Sequence, residues 1–390
     1  MKTNTIKQNI PSGWQEKNLG DVCDIVNGST PKRSVSEYWE NGNIPWFTVD
    51  DIRSNGRIIS KTNQSITDKA LKETSVKLLP EDSVLLCCTA SLGEVALTKI
   101  PLTTNQQFNG LVSKDKRNLF PYYLFYSAQK LGEGLKSKSG KTTINFLSVG
   151  SLSKEKVLIP PIKEQQKIAE ILGTVDEDIA KTQGVIEATE KLKRGLMQQL
   201  FTRGIGHKKF KETKIGQIPE EWSVKTFEEF AVLQRGFDLP VQDRQSGQYD
   251  LITSNGVTDT HAEFKVKGPG VITGRSGTLG NVFYVENNFW PLNTTLYIKD
   301  FHGNHEKFVY YKIKSFDVSR FGTGTGVPTL NRNIVHKEIV AVPKYGEQKE
   351  IAEILSAVDE KILVNKKLKA KFTLLKKGLM QDLLSGRVRV

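Results

Sequence analysis

One segment of this 390-residue chain occurs twice. Residues 164–200 and 347–383 align at a constant offset of 183, with 18 identities in 37 positions. The runs IAEIL, VDE and GLMQ stand in both copies. A repeat of this strength and length predicts that the whole architecture is duplicated, so the chain must fold as two related halves.

Both copies of the segment carry apolar residues in alternating steps of three and four, the pattern of one helix face. In the first copy these are Ile168, Leu172, Val175, Ile179, Ile186, Leu192, Leu196 and Leu200, and in the second Ile351, Leu355, Val358, Ile362, Phe372, Leu375, Leu379 and Leu383. A narrow stripe on a long helix needs a matching stripe, so the two helices are predicted to pair as an intramolecular coiled coil. The alternative is that each helix packs separately on its own domain. Gly195 and Gly378 recur inside both helices, where glycine is costly, and predict close approach of another backbone or a kink.

The segments before the helices are weaker copies of one another. IPSGW is matched by IPEEW, and SLGEVAL (91–97) by TLGNVFY (278–284). Short β-branched and aromatic runs broken by Gly, Asn and Pro predict mixed, mostly-β domains with a few short helices. The predicted class is therefore α+β, with a first domain at 1–160, a helix at 161–203, a linker at 204–218, a second domain at 219–343 and a helix at 344–390.

The charge balance favours a polyanionic partner. Lys and Arg exceed Asp and Glu by 56 to 43, a formal net charge of +13, although residues 211–343 carry none of the excess. No apolar run is long enough to cross a bilayer, so no membrane partner is expected. The three cysteines form no framework of pairs, which favours free thiols and a cytoplasmic location.

Searches for catalytic and ligand-binding motifs return weak matches. His302 and His305 are the closest histidine pair and lack further ligands, so no metal site is predicted. GTGTG (322–326) is followed by Val327 and Pro328 rather than by a helix, which removes the usual phosphate-binding mechanism. SGKTT (139–143) would need glycine at position 135 to complete a phosphate loop, and that residue is Leu135.

The patterns of DNA-modifying enzymes are equally weak. A methyltransferase would need a glycine-rich cofactor loop and a polar residue before Pro-Pro-aromatic, whereas the Pro-Pro here lies in IPPI. A nuclease site could combine Asp250 with EFK (263–265), but acidic-x-Lys matches are common in a lysine-rich chain. The residues favour a reader or scaffold without catalysis of its own.

Several motifs together resemble one family. IPPIKEQQKIAEIL and VPKYGEQKEIAEIL open the helices, KRGLMQQLFT and KKGLMQDLLS close them, and ETKIGQIPEEW starts the second half. NIPWFTVDDI (43–52), VLLCCTASLGEVAL (84–97) and TTNQQFNGL (103–111) fit the same pattern. Over essentially its whole length the chain resembles the specificity (S) subunit of type I restriction-modification systems.

The resemblance implies two target recognition domains separated by two long helices that pair as an antiparallel coiled coil, a pseudo-twofold tandem repeat. Each domain would read one half of a bipartite, asymmetric sequence in double-stranded DNA, and the helices would set the unread gap. The chain would bind no cofactor itself. Two methyltransferase (M) subunits would bring S-adenosylmethionine, and two restriction or motor (R) subunits would bring ATP and Mg²⁺.

Candidate DNA-binding residues come from loops that mix amide, hydroxyl and cationic groups. Asn and Gln can pair bidentately with adenine and Arg with guanine, while Lys and backbone amides hold phosphates. The candidates are Gln106, Gln107, Lys141, Thr142, Thr143 and Asn145 in the first domain, and Arg275, Ser276, Thr325, Asn331 and Arg332 in the second. Two rival hypotheses stay open: a self-contained nuclease or methyltransferase acting through Asp250 or Lys265, and an adaptor whose β domains bind protein.

Overall fold

The repeated segments form two long helices, Ile162–Arg203 and Tyr345–Leu383. The computed structural model describes residues 10–89, 92–138, 147–316, 318–323 and 328–390. The chain divides into two units, the first made of residues 1–181 and 368–390 and the second of residues 182–367. Each unit therefore contains one mixed domain and a part of both helices.

In the part of the chain that the structure describes, unit 1 holds ten strands, five complete helices, the first part of the helix Ile162–Arg203 and the last part of the helix Tyr345–Leu383. The strands are β1 (Gln15–Asn18), β2 (Cys23–Asn27), β3 (Ile44–Phe47), β4 (Ile58–Ile59), β5 (Gln64–Ile66), β6 (Val84–Cys87), β7 (Val95–Thr98), β8 (Thr103–Thr104), β9 (Phe108–Ser113) and β10 (Lys156–Ile159). The helices are α1 (Leu19–Val22), α2 (Val49–Asn55), α3 (Asp68–Glu73), α4 (Pro121–Lys138), α5 (Val149–Leu152) and α6 (Ile162–Arg203), with a 3-10 turn at Ser36–Tyr38. They build a five-stranded sheet in the order β2-β9-β6-β7-β4, a three-stranded sheet β5-β3-β8 and the pair β1-β10.

Unit 2 repeats this plan with fewer elements between the shared strands. Its strands are β11 (Phe210–Thr213), β12 (Gly216–Pro219), β13 (Ser223–Thr226), β14 (Val232–Arg235), β15 (Tyr249–Thr253), β16 (Gly256–His261), β17 (Gly270–Gly274), β18 (Val282–Val285), β19 (Phe289–Pro291), β20 (Thr295–Asp300), β21 (Gly322–Thr323), β22 (Thr329–Leu330) and β23 (Ile339–Val342). The helices are α7 (Phe227–Phe230), α8 (Glu306–Ser315), α9 (Arg332–His336) and α10 (Tyr345–Leu383), with 3-10 turns at Val241–Asp243 and Val318–Phe321. The sheet β14-β20-β17-β18 corresponds to β2-β9-β6-β7, and β16-β15-β19 to β5-β3-β8.

The α+β class and the tandem repeat are thus confirmed. Each main sheet packs on a helix that follows its last strand: buried Tyr123 and Phe125 of α4 belong to the core beneath β6 and β7, and buried Phe308 and Val309 of α8 to the core of unit 2. Among the described residues no helix is long and apolar enough to cross a membrane.

The repeated Glu-Gln pair fixes the start of each long helix to its own unit. Gln165 and Gln348, both buried, donate to the carbonyl oxygens of Pro160 (2.8 Å) and Pro343 (3.0 Å). Their side-chain oxygens accept the backbone N–H of Phe120 at 2.8 Å and that of His305 at 2.9 Å.

The preceding glutamates accept from the indoles of the repeated tryptophans, Trp14 to Glu164 at 3.0 Å and Trp222 to Glu347 at 2.8 Å. The identical Glu and Gln residues of the repeat therefore attach the start of each long helix to its domain.

Within each unit the two long helices run antiparallel. In unit 1 Asp176 pairs with Lys376 of α10, and Glu164 pairs with Arg389, which follows the end of α10 at Leu383. In unit 2 Glu190 pairs with Lys366, and Lys193 with Asp359, so rising numbers on α6 meet falling numbers on α10. The predicted pairing of the helices is confirmed.

The predicted apolar stripe is wrong at two equivalent positions, Leu192 and Leu375, which are exposed. The inward places next to them belong to Lys193 and Lys376. Each lysine pairs with an aspartate of the other helix, at 2.5 Å for Lys193–Asp359 and 2.7 Å for Lys376–Asp176. Long lysine stems can cover apolar surface while the ammonium group reaches a partner, so the ion pair displaces leucine from the seam.

Two further expectations differ from the structure. A side chain added at Gly195 or Gly378 would meet no described atom within 4 Å, so the close approach expected there is wrong for the part of the chain that the structure describes. The segment assigned to a linker contains β11, whose hairpin with β12 turns through residues 214–215 and re-enters the strand at Gly216. The φ of +93° at Gly216 suits glycine in such a turn.

Candidate nucleic-acid interface

Three loops of unit 2 meet beside the carboxyl end of β17, and they contain every described candidate residue of the second domain. The backbone N–H of Arg275 donates to Thr294 at 2.8 Å, and its carbonyl accepts from Leu330 at 2.7 Å. Ser276 forms an isolated antiparallel bridge with Thr329. The structure thus brings Arg275 and Ser276 next to the segment that carries Asn331 and Arg332.

The polar side chains of these loops are partly used by the fold. Arg275 donates to the carbonyl of Asn293 at 3.3 Å, and Arg332 donates to the side-chain oxygen of Gln234 at 2.5 Å. Asn331 accepts the N–H of Asn333 at 3.0 Å and so caps α9. Its oxygen is committed to the cap, which leaves its amide nitrogen as the group able to donate to a base edge.

One carboxylate lies in the same neighbourhood. Asp238 accepts from the amide of Asn293 and, at 2.9 Å, from the guanidinium of Arg235. The hydrogen bond from Asn293 and the nearby arginine hold the pKa of Asp238 below its ordinary value. An ionised carboxylate repels phosphate but accepts from the amino group of cytosine, so this corner of the loops suits a base edge better than the DNA backbone.

In unit 1 the equivalent loop follows β8 and contains Gln106 and Gln107. Gln107 makes a local pair with Asn105, accepting from its amide at 3.1 Å and donating its own N–H to it at 3.0 Å. Gln106 is exposed, and its side-chain oxygen accepts from the hydroxyl of Thr30. The amide nitrogen of the exposed Gln106 has no partner among the described residues, whereas the side-chain oxygen of Gln107 is used to shape the turn.

The same loop system includes a stacked cation that the sequence did not single out. The guanidinium of Arg33 lies 3.7 Å from the ring centre of Trp39 and 4.7 Å from that of Trp46. The indole of Trp46 donates to the carbonyl of Ser29, beside Thr30. Stacking on two rings pre-orders an exposed arginine, which favours contact with a phosphate or a guanine.

Matching backbone bonds show which loop positions correspond. Cys88 donates to Gln107 at 2.8 Å, as Arg275 donates to Thr294, and Leu147 donates to Cys88 at 3.1 Å, as Leu330 does to Arg275. Asn293 and Thr294 therefore occupy the places of Gln106 and Gln107, and both were missed. The match between SLG and TLG, extended at its own offset of 187, contained the signal that would have found them.

Thr294 is a strong addition to the candidates. Its hydroxyl is buried and has no hydrogen-bond partner among the residues described here. Buried polar atoms are normally paired, so an unpaired one in a loop of this kind is open to a partner from outside the chain.

Five of the candidates, Lys141, Thr142, Thr143, Asn145 and Thr325, lie outside the described residues. No group of three or more potential metal ligands occurs in the described part of the chain. The three thiols are buried, and burial raises the pKa of Cys88 to about 11, so the thiol beside the first-domain loops is protonated at neutral pH.

Comparison with known proteins identifies the family to which the chain belongs. A family model described as the type I restriction modification DNA specificity domain matches residues 11–191 and again residues 219–374. The chain belongs to the type I restriction-modification DNA specificity family. DNA target recognition, as a specificity subunit of a type I system, is therefore its role.

Relatives in this family match nearly end to end. The MjaIX specificity subunit of Methanocaldococcus jannaschii is 28% identical over 414 residues, covering 98% of this chain and 95% of that protein. The EcoprrI specificity subunit of Escherichia coli is 29% identical over 362 residues, covering 87% and 86%. The crystal structure of the S subunit from M. genitalium has the same fold, with a TM-score of 0.64 at 18% identity over 98% of both chains.

Proposed function

We propose that this specificity subunit is a DNA-reading scaffold without catalysis of its own, in which each unit reads one half of a bipartite, asymmetric target. The observation that carries the proposal is the repeat itself. The two units have corresponding sheets and the same bonds between helix and domain. The equivalent loop positions hold different side chains: Gln106 is aligned with Asn293, and Cys88 with Arg275. Equal frameworks with unequal donors and acceptors suit two different half-sites.

The repeat also supports docking of two equal partner subunits. Val185 and Leu192 on α6 are exposed in unit 2, and Leu368 and Leu375 on α10 are exposed at the equivalent positions in unit 1. A spacing of seven places each pair on one helix face, where an apolar helix of a partner can pack. Two such pairs support two methyltransferase subunits, which would supply S-adenosylmethionine; two restriction subunits would supply ATP and Mg²⁺.

Charge distribution supports the same arrangement. The range 211–343 has no net charge, and phosphate neutralisation dominates the affinity of proteins for DNA. We therefore propose that tight binding requires the partner subunits, with this chain supplying the base-specific contacts.

The decisive experiment is methylome sequencing of a host that lacks other methyltransferases and carries this chain with its cognate methyltransferase subunit. We expect methylated adenine in a bipartite motif that disappears when this chain is omitted. In the same assay Arg275→Ala should relax one half-site, and Gln106→Ala the other. Lys299→Met, a change at an exposed strand residue outside these loops, is the matched control.

Two outcomes would contradict the proposal. Incorporation of methyl groups into DNA by the isolated chain would mean that it is an enzyme. Assembly of the complex without any methylated motif, with binding that is indifferent to DNA sequence and weakly dependent on salt, would favour the adaptor hypothesis.

A further inference from the structure

A cleft of about 850 Å³ opens within unit 2, between the second part of α6, helix α8 and strand β23. Its lining carries more cations than carboxylates. The cations are Lys193, Arg194, Lys312, Lys314, Arg320 and Lys366, and the carboxylates are Glu190, Glu338 and Asp359. The surplus is three positive charges in one concave site, and none of the lining residues belongs to the loops beside β17.

Every carboxylate of the cleft is already used. Asp359 pairs with Lys193 at 2.5 Å, Glu190 with Lys366 at 2.7 Å, and Glu338 with Arg320 at 3.1 Å. The cations left over are Arg194, Lys312 and Lys314, none of which pairs with a carboxylate in the part of the chain that the structure describes. Lys314 donates to the hydroxyl of Tyr310 at 2.9 Å, which orients its ammonium group without neutralising it.

Lys312 is the unusual member of this set. Only 7% of the residue is exposed, yet its ammonium group has no carboxylate or hydrogen-bond acceptor among the described residues. The groups that face it are the rings of Phe201 and Phe316, whose centres lie 5.0 and 5.7 Å away. Burial lowers the pKa of Lys312 to about 8, because desolvation penalises the charged form. A largely buried ammonium group without a counter-ion is costly, and Lys312 lines the cleft, so this position favours an anion that enters the cleft.

The fold does not require a lysine at this position. Tyr126 and Tyr311 both donate to the aspartate of the repeated VDE run, at 3.0 and 2.8 Å, so the next residues, Ser127 and Lys312, are equivalent. Ser127 lines a cleft of about 440 Å³ in unit 1, together with Leu384 and Ser385, the equivalents of Phe201 and Thr202. Unit 1 thus has the same kind of cleft with a hydroxyl in place of the buried ammonium group.

We propose that the cleft of unit 2 binds the phosphate group of a small phosphorylated molecule of nucleotide size through Lys312, Lys314 and Arg194. Phe201, Phe316 and Met197 also line the cleft and provide an apolar surface for the rest of the ligand. The volume exceeds what phosphate alone would fill and lies in the usual range of ligand pockets, about 300 to 1,000 Å³. The site uses other residues than DNA reading does, so either proposal can fail without the other.

Isothermal titration of the purified full chain with adenosine monophosphate in low-salt buffer tests this site. We expect saturable binding of one ligand per chain, weaker binding of inorganic phosphate, and no binding of adenosine. Lys312→Met should weaken binding at least tenfold, and Lys312→Ser, which introduces the residue of unit 1, should do the same. Lys299→Met should bind as the unchanged chain does.

Folding of the variants is checked by circular dichroism and by thermal unfolding. Methionine has the length of the lysine stem and no buried charge, so Lys312→Met should be at least as stable as the unchanged chain. Lys314→Gln and Arg194→Gln provide a second route, each expected to weaken binding severalfold. The proposal is overturned when the unchanged chain binds neither the nucleotide nor phosphate, or when Lys312→Met binds both as before. It is also overturned when Lys312→Met loses only the methyltransferase subunit, because the cleft is then a protein contact.

Discussion

Replacing Glu164 by alanine should weaken the packing of the start of α6 against the domain that precedes it. The carboxylate, 7% exposed, accepts from Trp14 at 3.0 Å and from Arg389 at 2.6 and 2.9 Å. Without it the indole N–H of Trp14 is left buried and unpaired, which costs about 1 to 3 kcal/mol. The guanidinium of Arg389 is 43% exposed and returns to water, so losing its ion pair adds little to this cost. We expect a total near 2 kcal/mol.

Hydrogen exchange measured by mass spectrometry resolves this effect locally, which matters because a chain of two units need not unfold in one step. Amides in the first turns of α6 should lose protection about 30-fold, the equivalent of about 2 kcal/mol. Glu164→Gln keeps an acceptor for Trp14 and should lose much less. Glu170→Ala, an exposed position on the same helix, is the control.

The loss of stability caused by Glu164→Ala should depend on pH in one direction. Burial acts to raise the pKa of Glu164, but the bonds from Arg389 and Trp14 outweigh it and hold the pKa below its ordinary value. A carboxyl group of this kind stabilises the fold above its unfolded pKa, and the contribution is lost as the pH falls through the folded pKa. The difference between the unchanged chain and Glu164→Ala should therefore narrow below about pH 4. Equal losses for Glu164→Ala and Arg389→Ala, or a gap that widens in acid, would refute the reasoning.

Three further predictions concern the readers, the helices and the thiols. Exchange of residues 1–150 for another reader should change one half-site of the methylated motif, and a change in both would contradict independent reading. Insertion of one heptad into both α6 and α10 adds about 10 Å of helix, which should lengthen the unread gap by about three base pairs with both half-sites intact; altered half-sites with an unchanged gap would argue against the helices as spacers. Cys23, Cys87 and Cys88 are buried, and burial raises the pKa of Cys23 to about 12. A thiol reagent at pH 8 should therefore modify these cysteines only after unfolding. Rapid reaction of the folded chain would contradict their burial.

The long helices were predictable because their signal is local and repeated. The helix predicted at 161–203 begins at Ile162 and ends at Arg203. The residues that lie between α6 and α10 were less predictable. The apolar period alone placed Leu192 and Leu375 there, whereas both are exposed. The partners that draw Lys193 inward lie more than 160 residues away in sequence, and a periodic pattern does not contain that information.

The candidate DNA-binding loops were harder to predict from the sequence than the helices. Asn331 was selected for its side-chain amide, but the oxygen of that amide caps α9. This cap was hard to predict, because a helix of five residues has almost no periodic signal in the sequence. Thr294 was missed because nothing local distinguishes it from a solvated threonine. Thr294 accepts from the backbone of Arg275, and the next residue, Thr295, pairs with Gly274 of β17, so part of its surroundings comes from another segment of the chain.

The two units differ where a target would be read and agree where the fold is held together. Tyr126 and Tyr311 make the same bond to an aspartate, and Trp14 and Trp222 make the same bond to a glutamate, so the framework bonds are equivalent. A symmetric DNA target would require equivalent donors and acceptors in the loops as well. Gln106 and Asn293 differ in reach by one methylene group, and Cys88 has no charge to match Arg275. Because base discrimination depends on the position and type of each donor, one duplex sequence cannot satisfy both sets equally, and we expect the two half-sites to differ.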